Sequence, residues 1–159
     1  MDSRLLTAEQ LGIRLEIVAG QPIWEAAPLY RHQKAVDRIR ASIRPDTESG
    51  CACVHVADVY VSFADGSLKR PDIAVFGREP DEQDEPVRMV PEAVIEVVSK
   101  GYEYKDLELG PPFYLAQGVK DVIVFNPQTL LVLHVRRDRV ERLVSPVTIA
   151  LECGCSVTA

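Results

Sequence analysis

Residues 91–110, PEAVIEVVSKGYEYKDLELG, place a carboxylate inside an apolar strand. The segment AVIEVV is almost wholly apolar, as expected of a strand that is covered on both faces of a sheet, yet its fourth residue is Glu96. A buried carboxylate is costly unless another group neutralises it. The charged residues that follow indicate the start of a helix. Glu96 therefore predicts a functional site where a buried strand ends.

A second acid, Asp72, interrupts another apolar stretch, RPDIAVF at residues 70–76. Two carboxylates on neighbouring strands require a shared proton, a basic partner or a bound cation. Mg²⁺ prefers oxygen ligands and is commonly held by one or two carboxylates, and such a cation activates water and binds a phosphodiester. The alternative is that Asp72 lies at a strand edge and Glu96 pairs with an arginine.

Glu16 and His32 are further candidate site residues with ordinary alternatives. Glu16 lies in RLEIV, where strand alternation directs its side chain away from Leu15 and Ile17, so a solvent-facing position is the simplest interpretation. His32 lies on the apolar face of a predicted helix at residues 30–44. A histidine there is usually a core residue, but near the start of the helix it can also reach a site at the end of the sheet.

The order of predicted elements is helix, strands, helix, strands, helix, strands, which indicates an α/β or α+β fold with a mixed central sheet. A length of 159 residues favours one domain spanning residues 1–159. No apolar run approaches the roughly 20 residues that cross a bilayer, and the N-terminus lacks the pattern of a signal peptide. We therefore expect a cytoplasmic protein without a membrane partner.

The net charge of −6 argues against non-specific binding to nucleic acid, which requires Lys and Arg against phosphate. In an enzyme with an acidic metal site, the distribution of charge matters more than its sum. Arg31, Lys34 and Arg38 lie mainly off the apolar face of the helix at residues 30–44. If the substrate is DNA, these three side chains are the expected phosphate contacts.

The four cysteines form two C-x-C pairs, Cys51 with Cys53 and Cys153 with Cys155. Alternation along a strand puts both members of such a pair on one face. Common structural zinc sites use C-x₂-C instead, so reduced thiols that bind no metal are the expectation for a cytoplasmic protein. A zinc-stabilised module with four thiolate ligands is the alternative.

The ordered segments RHQ, RPDIAVF and AVIEVVS resemble the Uma-two family of restriction-endonuclease-like proteins, within the PD-(D/E)XK nuclease superfamily. The resemblance covers about residues 15–127. It implies a restriction-endonuclease-like mixed central β-sheet flanked by helices, with a metal site at one end. The implied activity is Mg²⁺-dependent cleavage of DNA, with Mn²⁺ able to substitute. Because nucleases of this superfamily often act as dimers, the resemblance also implies a homodimer.

Four residues match the family's site by position. The resemblance makes Asp72 the aspartate of the PD motif, Glu96 its second carboxylate, Glu16 an acid of the early strand and His32 the histidine of the HQ helix. Asp72, Glu96 and Glu16 are thereby predicted metal ligands.

The expected catalytic lysine is missing from its usual positions. The superfamily pattern places it at residue 98, which is Val98, and many family members carry it at residue 110, which is Gly110. Lys100 has the strand parity of Glu96, and Lys105 opens the following helix. We predict that one of these two, with Lys105 preferred, orients the attacking water. The alternative is a catalytically impaired nuclease-fold protein that acts as a nucleic-acid-binding or structural module.

Overall fold

The computed structural model describes residues 2–46, 48 and 50–159. Within these residues the helices are α1 (Ser3–Gln10), α2 (Tyr30–Ala41) and α3 (Gly110–Ala116), and a π-helical turn, Lys105–Leu109, leads directly into α3. The strands are β1 (Leu15–Val18), β2 (Gln21–Trp24), β3 (Arg44–Pro45), β4 (Val54–Ala57), β5 (Val61–Ser62), β6 (Leu68–Lys69), β7 (Ile73–Phe76), β8 (Ala93–Val97), β9 (Asp121–Phe125), β10 (Leu131–Arg136), β11 (Arg139–Val144), β12 (Thr148–Ala150) and β13 (Cys155–Thr158).

The described part of the chain forms a central six-stranded sheet in the order β11-β10-β9-β8-β7-β4. Strands β8 and β9 are parallel, because the helical segment between them carries the chain back across the sheet. The other neighbours in this sheet are antiparallel. This arrangement confirms the predicted mixed sheet flanked by helices.

Hydrophobic clusters cover both faces of the central sheet, which explains why its inner strands are nearly all apolar. On β8, Ile95 and Val97 belong to the cluster under α2 and the β12–β13 hairpin. Val94 and Val98 belong to the opposite cluster, which contains Tyr114 of α3. Glu96 shares the parity of this second set, so its side chain is directed toward α3.

Two smaller sheets complete the described fold, one of four strands and one of three. The four-stranded sheet has the order β2-β1-β6-β5, and it brings Glu16 on β1 close to β6. The three-stranded sheet has the order β12-β13-β3 and contributes Ile149 and Val157 to the cluster under α2.

Two segments whose sequence is typical of one continuous strand are each divided between two sheets. Residues 52–63 separate into β4 and β5 at Asp58, whose φ of 62° is incompatible with an extended strand. Residues 68–76 separate into β6 and β7 at Pro71, which has no N–H to donate to a sheet. Both breaks lie beside the candidate site.

Strands β10 and β11 form a hairpin, with Arg136 paired to Arg139 next to the turn. Among the described residues, no helix is long and apolar enough to cross a membrane.

Candidate active site

Asp72 and Glu96 lie opposite each other where β7 begins and β8 ends. The last register pair of these strands is Ile73 with Ile95, so Asp72 and Glu96 occupy the next position. The backbone N–H of Asp72 donates to Glu96 Oε2 at 3.1 Å, and the backbone N–H of Val97 donates to Asp72 Oδ2 at 2.7 Å. The structure thus brings the two principal predicted acids together at one end of the central sheet.

Glu96 is held from the helical side by Tyr114 of α3. The Tyr114 hydroxyl donates to Glu96 Oε1 at 2.6 Å, and both side chains are buried. Burial is the main cause that raises the pKa of Glu96 well above its ordinary value, and the neighbouring Asp72 carboxylate is the second. A positive charge near this carboxylate would therefore be strongly favoured.

His32 of α2 contacts the same pair of acids through Asp72. Its Nε2 lies 3.2 Å from Asp72 Oδ2, and the imidazole is largely buried. Burial alone would lower the pKa of His32, but the hydrogen bond and charge of Asp72 outweigh it and raise the pKa. The structure therefore places His32 at the predicted site, where it fixes the orientation of the Asp72 carboxylate.

Glu16 is completely buried, and both of its oxygens have partners. Lys69 Nζ lies 2.6 Å and Lys105 Nζ 3.1 Å from Oε2, while the Arg70 backbone N–H donates to Oε1 at 2.7 Å. Burial would raise the pKa of Glu16, yet the two lysines lower it to about 2. Glu16 is thus adjacent to the Asp72–Glu96 pair, and its carboxylate contacts two lysines and the Arg70 N–H.

The structure separates the two candidate lysines. Lys105 opens the π-helical turn, an irregularity that is frequent at functional sites, and its ammonium contacts Glu16 and lies 3.8 Å from Glu25 Oε1. Burial opposes its positive charge, but Glu16 and then Glu96 raise the pKa of Lys105 above its ordinary value. Lys100 is exposed beyond the end of β8 and faces a different groove, beside Arg31.

Four residues at the site were not predicted from the sequence: Glu25, Lys69, Asp106 and Tyr114. Lys69 is 4% exposed and forms the shortest ion pair with Glu16, although it lies in a strand of only two residues. No signal for this pair was present in the sequence, because strand alternation in RLEIV favoured a solvent-facing Glu16, whereas the structure buries it. Asp106 accepts a hydrogen bond from the Ser99 backbone N–H at 3.3 Å, and Glu25 follows β2.

A small cavity of about 40 Å³ lies at the end of the central sheet. Its polar lining includes Glu25, His32, Asp72, Glu96, Lys105 and Asp106. One water requires about 10–15 Å³ by the same measure, so the cavity has room for a cation and part of its hydration shell.

The chain belongs to the Uma2 family. The family model, described as "Putative restriction endonuclease", matches residues 3–153. Among solved structures, the chain is similar to a protein from Anabaena variabilis ATCC 29413 described as "a putative nuclease belonging to DUF820", with a TM-score of 0.64 and 19% sequence identity. The similarity covers 85% of this chain and 79% of that chain, and it shows a shared fold. No curated protein matches the sequence.

The donor set of this Uma2 protein fits a hard divalent cation, because its cavity collects carboxylate oxygens whose charges repel one another. Burial and the charge of Glu16 raise the pKa of Glu25 to about 7, and burial raises that of Asp106 to about 6. Glu25 Oε2 is buried and has no hydrogen-bond partner among the described residues; Arg14 Nε lies 3.7 Å away. A divalent cation would compensate this excess of negative charge.

We expect the metal-free protein to lose thermal stability as the pH rises from about 5 to about 8. Glu25 and Asp106 have raised pKa values in the folded state, so their stabilising contribution is complete below their ordinary pKa and disappears as pH passes about 6 to 7. The lowered pKa of Glu16, about 2, affects stability only in more acidic solution. Melting temperatures measured in EDTA across this range test the expectation. Glu25→Gln should weaken the dependence of the melting temperature on pH. A wild-type melting temperature that rises with pH would contradict the expectation.

A basic groove of the Uma2 protein begins on the helix that carries His32. Arg31, Lys34 and Arg38 are exposed on α2 and line a groove of about 950 Å³. The Arg38 guanidinium stacks on the Phe125 ring with its Cζ 5.2 Å from the ring centroid. The three predicted phosphate contacts therefore share one surface, although the whole chain is acidic.

Proposed function

We propose that this Uma2 protein is a divalent-cation-dependent endonuclease that hydrolyses phosphodiester bonds of DNA. The observation that supports it most is the arrangement of Asp72 and Glu96 across two strand ends, with Lys105 facing the same cavity. The family description and the name of the similar structure point to the same reaction class. The acids, the lysine and the basic groove supply the groups that such a reaction requires.

In this proposal Asp72 and Glu96 hold Mg²⁺, for which Mn²⁺ can substitute. The metal would supply Lewis-acid activation of the scissile phosphate and lower the pKa of an attacking water. Tyr114 and the backbone N–H of Asp72 hold the Glu96 carboxylate, and His32 holds that of Asp72. Glu16, the third predicted ligand, acts mainly through its ion pair with Lys105.

Lys105 is the proposed water-orienting residue. Its ammonium is fixed by Glu16 and remains partly accessible from the cavity, with 19% of the side chain exposed. A fixed positive charge at this place stabilises the negative charge that develops as water attacks phosphate. Lys105 thus provides the function that Val98 and Gly110 cannot provide.

The groove lined by Arg31, Lys34 and Arg38 is the proposed DNA-binding surface. Lysine and arginine neutralise phosphates and release counterions, so binding that depends on them weakens as salt increases. A homodimer, also proposed, would present two cavities to the two strands of a duplex.

Nicking of supercoiled plasmid tests the proposal directly. The full-length protein should convert supercoiled DNA to open-circular and linear forms with Mg²⁺ or Mn²⁺, and EDTA should stop the reaction. If calorimetry shows that Mn²⁺ binds but the DNA stays intact, the protein is instead a binding module with an impaired site. The residues Val98 and Gly110, which replace lysine, favour that alternative.

We expect Lys105→Met to slow plasmid cleavage by about 100- to 1,000-fold, as is typical when one preorganised charge-stabilising donor is removed. Mn²⁺ affinity should change little, because the proposed ligands remain. Lys100→Met is the matched control, since it removes an exposed lysine five residues earlier in the sequence. Equal rates for the two variants at saturating DNA would contradict the assignment of Lys105.

A further inference from the structure

The four cysteines meet at one place although the pairs are distant in the sequence. Cys51 and Cys53 precede β4. Cys153 lies two residues before β13, and Cys155 is the first residue of that strand. The structure joins Cys53 to Cys155 as a disulfide across a sequence separation of 102 residues and leaves Cys51 and Cys153 as thiols. The expectation of reduced cysteines therefore differs from the structure at one pair.

The two remaining thiols lie against the same pair. Cys51 Sγ is 3.4 Å from Cys155 Sγ, and the sulfurs of Cys51, Cys153 and Cys155 all lie within 4.8 Å of one another. Among the described residues, this is the place where at least three potential ligand atoms of His, Cys, Asp or Glu converge so closely. Cys53 joins this group through its bond to Cys155. A disulfide requires two cysteines and does not account for the two further thiols beside it.

Backbone N–H groups donate to sulfur in the same way in both pairs. The N–H of Cys53 donates to Cys51 Sγ at 3.3 Å, and the N–H of Cys155 donates to Cys153 Sγ. Burial raises the pKa of the Cys153 thiol to about 11, although the Cys155 N–H opposes this shift. The two N–H contacts therefore fix the positions of the sulfurs, and a metal bound there would displace a proton from Cys153.

We propose that Cys51, Cys53, Cys153 and Cys155 form a structural Zn²⁺ site in the reduced protein. Zinc with four thiolates is tetrahedral with Zn–S distances of about 2.3 Å, which places the sulfurs about 3.8 Å apart. The sulfurs of Cys51 and Cys155 are 3.4 Å apart and that of Cys153 lies within 4.8 Å of both, which is compatible with that value. Cys53, bonded to Cys155 in the structure, separates from it on reduction and supplies the fourth thiolate. Four protein ligands leave no open position, so the site is structural, and it is separate from the carboxylate cavity.

Zinc at this position would connect three parts of the fold. In the segment before β4, the Ala52 N–H donates to the carbonyl of Gly77, the residue after β7 of the central sheet. The N–H of Asp46, the residue after β3, donates to the carbonyl of Gly154, which lies between Cys153 and Cys155. Cys53 and Cys155 are also buried in the cluster that supports α2. The metal would therefore stabilise the packing of the helix that positions His32.

Zinc and the disulfide exclude each other, since Cys53 and Cys155 cannot be bonded together and also act as thiolate ligands. The full-length protein is reduced with a phosphine, freed of metal and titrated with Zn²⁺. We expect uptake of about one ion per chain, a higher melting temperature and protection of the thiols from alkylation. Co²⁺ in place of Zn²⁺ should produce the visible absorption of a tetrahedral thiolate complex.

Variants identify the ligands. Cys51→Ser, which leaves the disulfide pair intact, should lower zinc affinity by more than about 100-fold, since even groups outside the ligand shell contribute 10- to 100-fold. Glu96→Gln should retain zinc uptake, because it alters only the carboxylate cavity. Absence of uptake by the reduced wild type, or unchanged affinity in Cys51→Ser, would overturn the proposal. Neither result depends on nuclease activity.

Discussion

Glu96→Gln is expected to abolish Mn²⁺ binding and plasmid cleavage while raising the melting temperature of the metal-free protein. The glutamine loses the negative charge that the proposed metal requires. Its amide keeps both neighbours, because the oxygen accepts from the Asp72 N–H and the NH₂ donates to the Tyr114 oxygen. Burial and Asp72 raise the pKa of Glu96, so its ionised form is costly at neutral pH. Removing that cost should raise the melting temperature by a few degrees.

Calorimetric titration with Mn²⁺ and thermal unfolding in EDTA measure the two effects separately. Glu108→Gln is the matched control, because it removes an exposed carboxylate from the helical segment that carries Lys105. Asp72→Asn should also lose Mn²⁺ binding. Unchanged Mn²⁺ affinity in Glu96→Gln would show that the cation, if bound, lies elsewhere. Loss of stability together with loss of binding would instead indicate a structural role for this carboxylate.

Lys69→Met is expected to have the largest effect on stability, a loss of about 3 kcal/mol in the free energy of unfolding. Lys69 and Glu16 form a buried ion pair at 2.6 Å, with side chains 5% and 1% exposed. Breaking a buried pair by removing one partner typically costs about 3–5 kcal/mol, because an uncompensated charge remains. The lower end applies here, since Lys105 and the Arg70 N–H still contact Glu16.

Urea unfolding of the single and double variants tests this coupling. Lys69→Met with Glu16→Gln should recover most of the lost stability, because no buried charge remains unpaired. Lys105→Met is the control and should destabilise less, since its side chain is more exposed than that of Lys69. A Lys69→Met variant as stable as the wild type would mean that Lys105 alone neutralises Glu16.

Local patterns in the sequence were sufficient to predict the central strands and to single out the two principal acids. Glu96 stands out because every other residue of AVIEVV is apolar, which indicates a strand covered on both faces and leaves no solvent-facing position for a carboxylate. The structure buries Glu96. Asp72 also stood out as an acid in an apolar stretch, and in the structure it lies opposite Glu96, just before β7. The interruption at Pro71 was visible in the sequence, but its effect on sheet membership depended on contacts with β1.

Lys69 shows what local patterns could not provide. Nothing in GSLKRPD distinguishes a buried lysine from a solvated one, because its burial depends on Glu16, 53 residues earlier in the chain. The choice between Lys100 and Lys105 also depended on tertiary structure. Strand parity was compatible with Lys100, but β8 ends at Val97, and the π-helical turn that follows directs Lys105 toward the acids.

The sequence by itself determined the mixed sheet, the two acids embedded in apolar strands and the two C-x-C pairs, because each of these is expressed in residues that are neighbours along the chain. The tertiary structure alone decided which lysine neutralises which acid and that the cysteine pairs meet. Ion pairs and sulfur clusters between distant residues form only where folding brings their side chains within a few ångströms, and periodicity along one strand or helix contains no information about that distance.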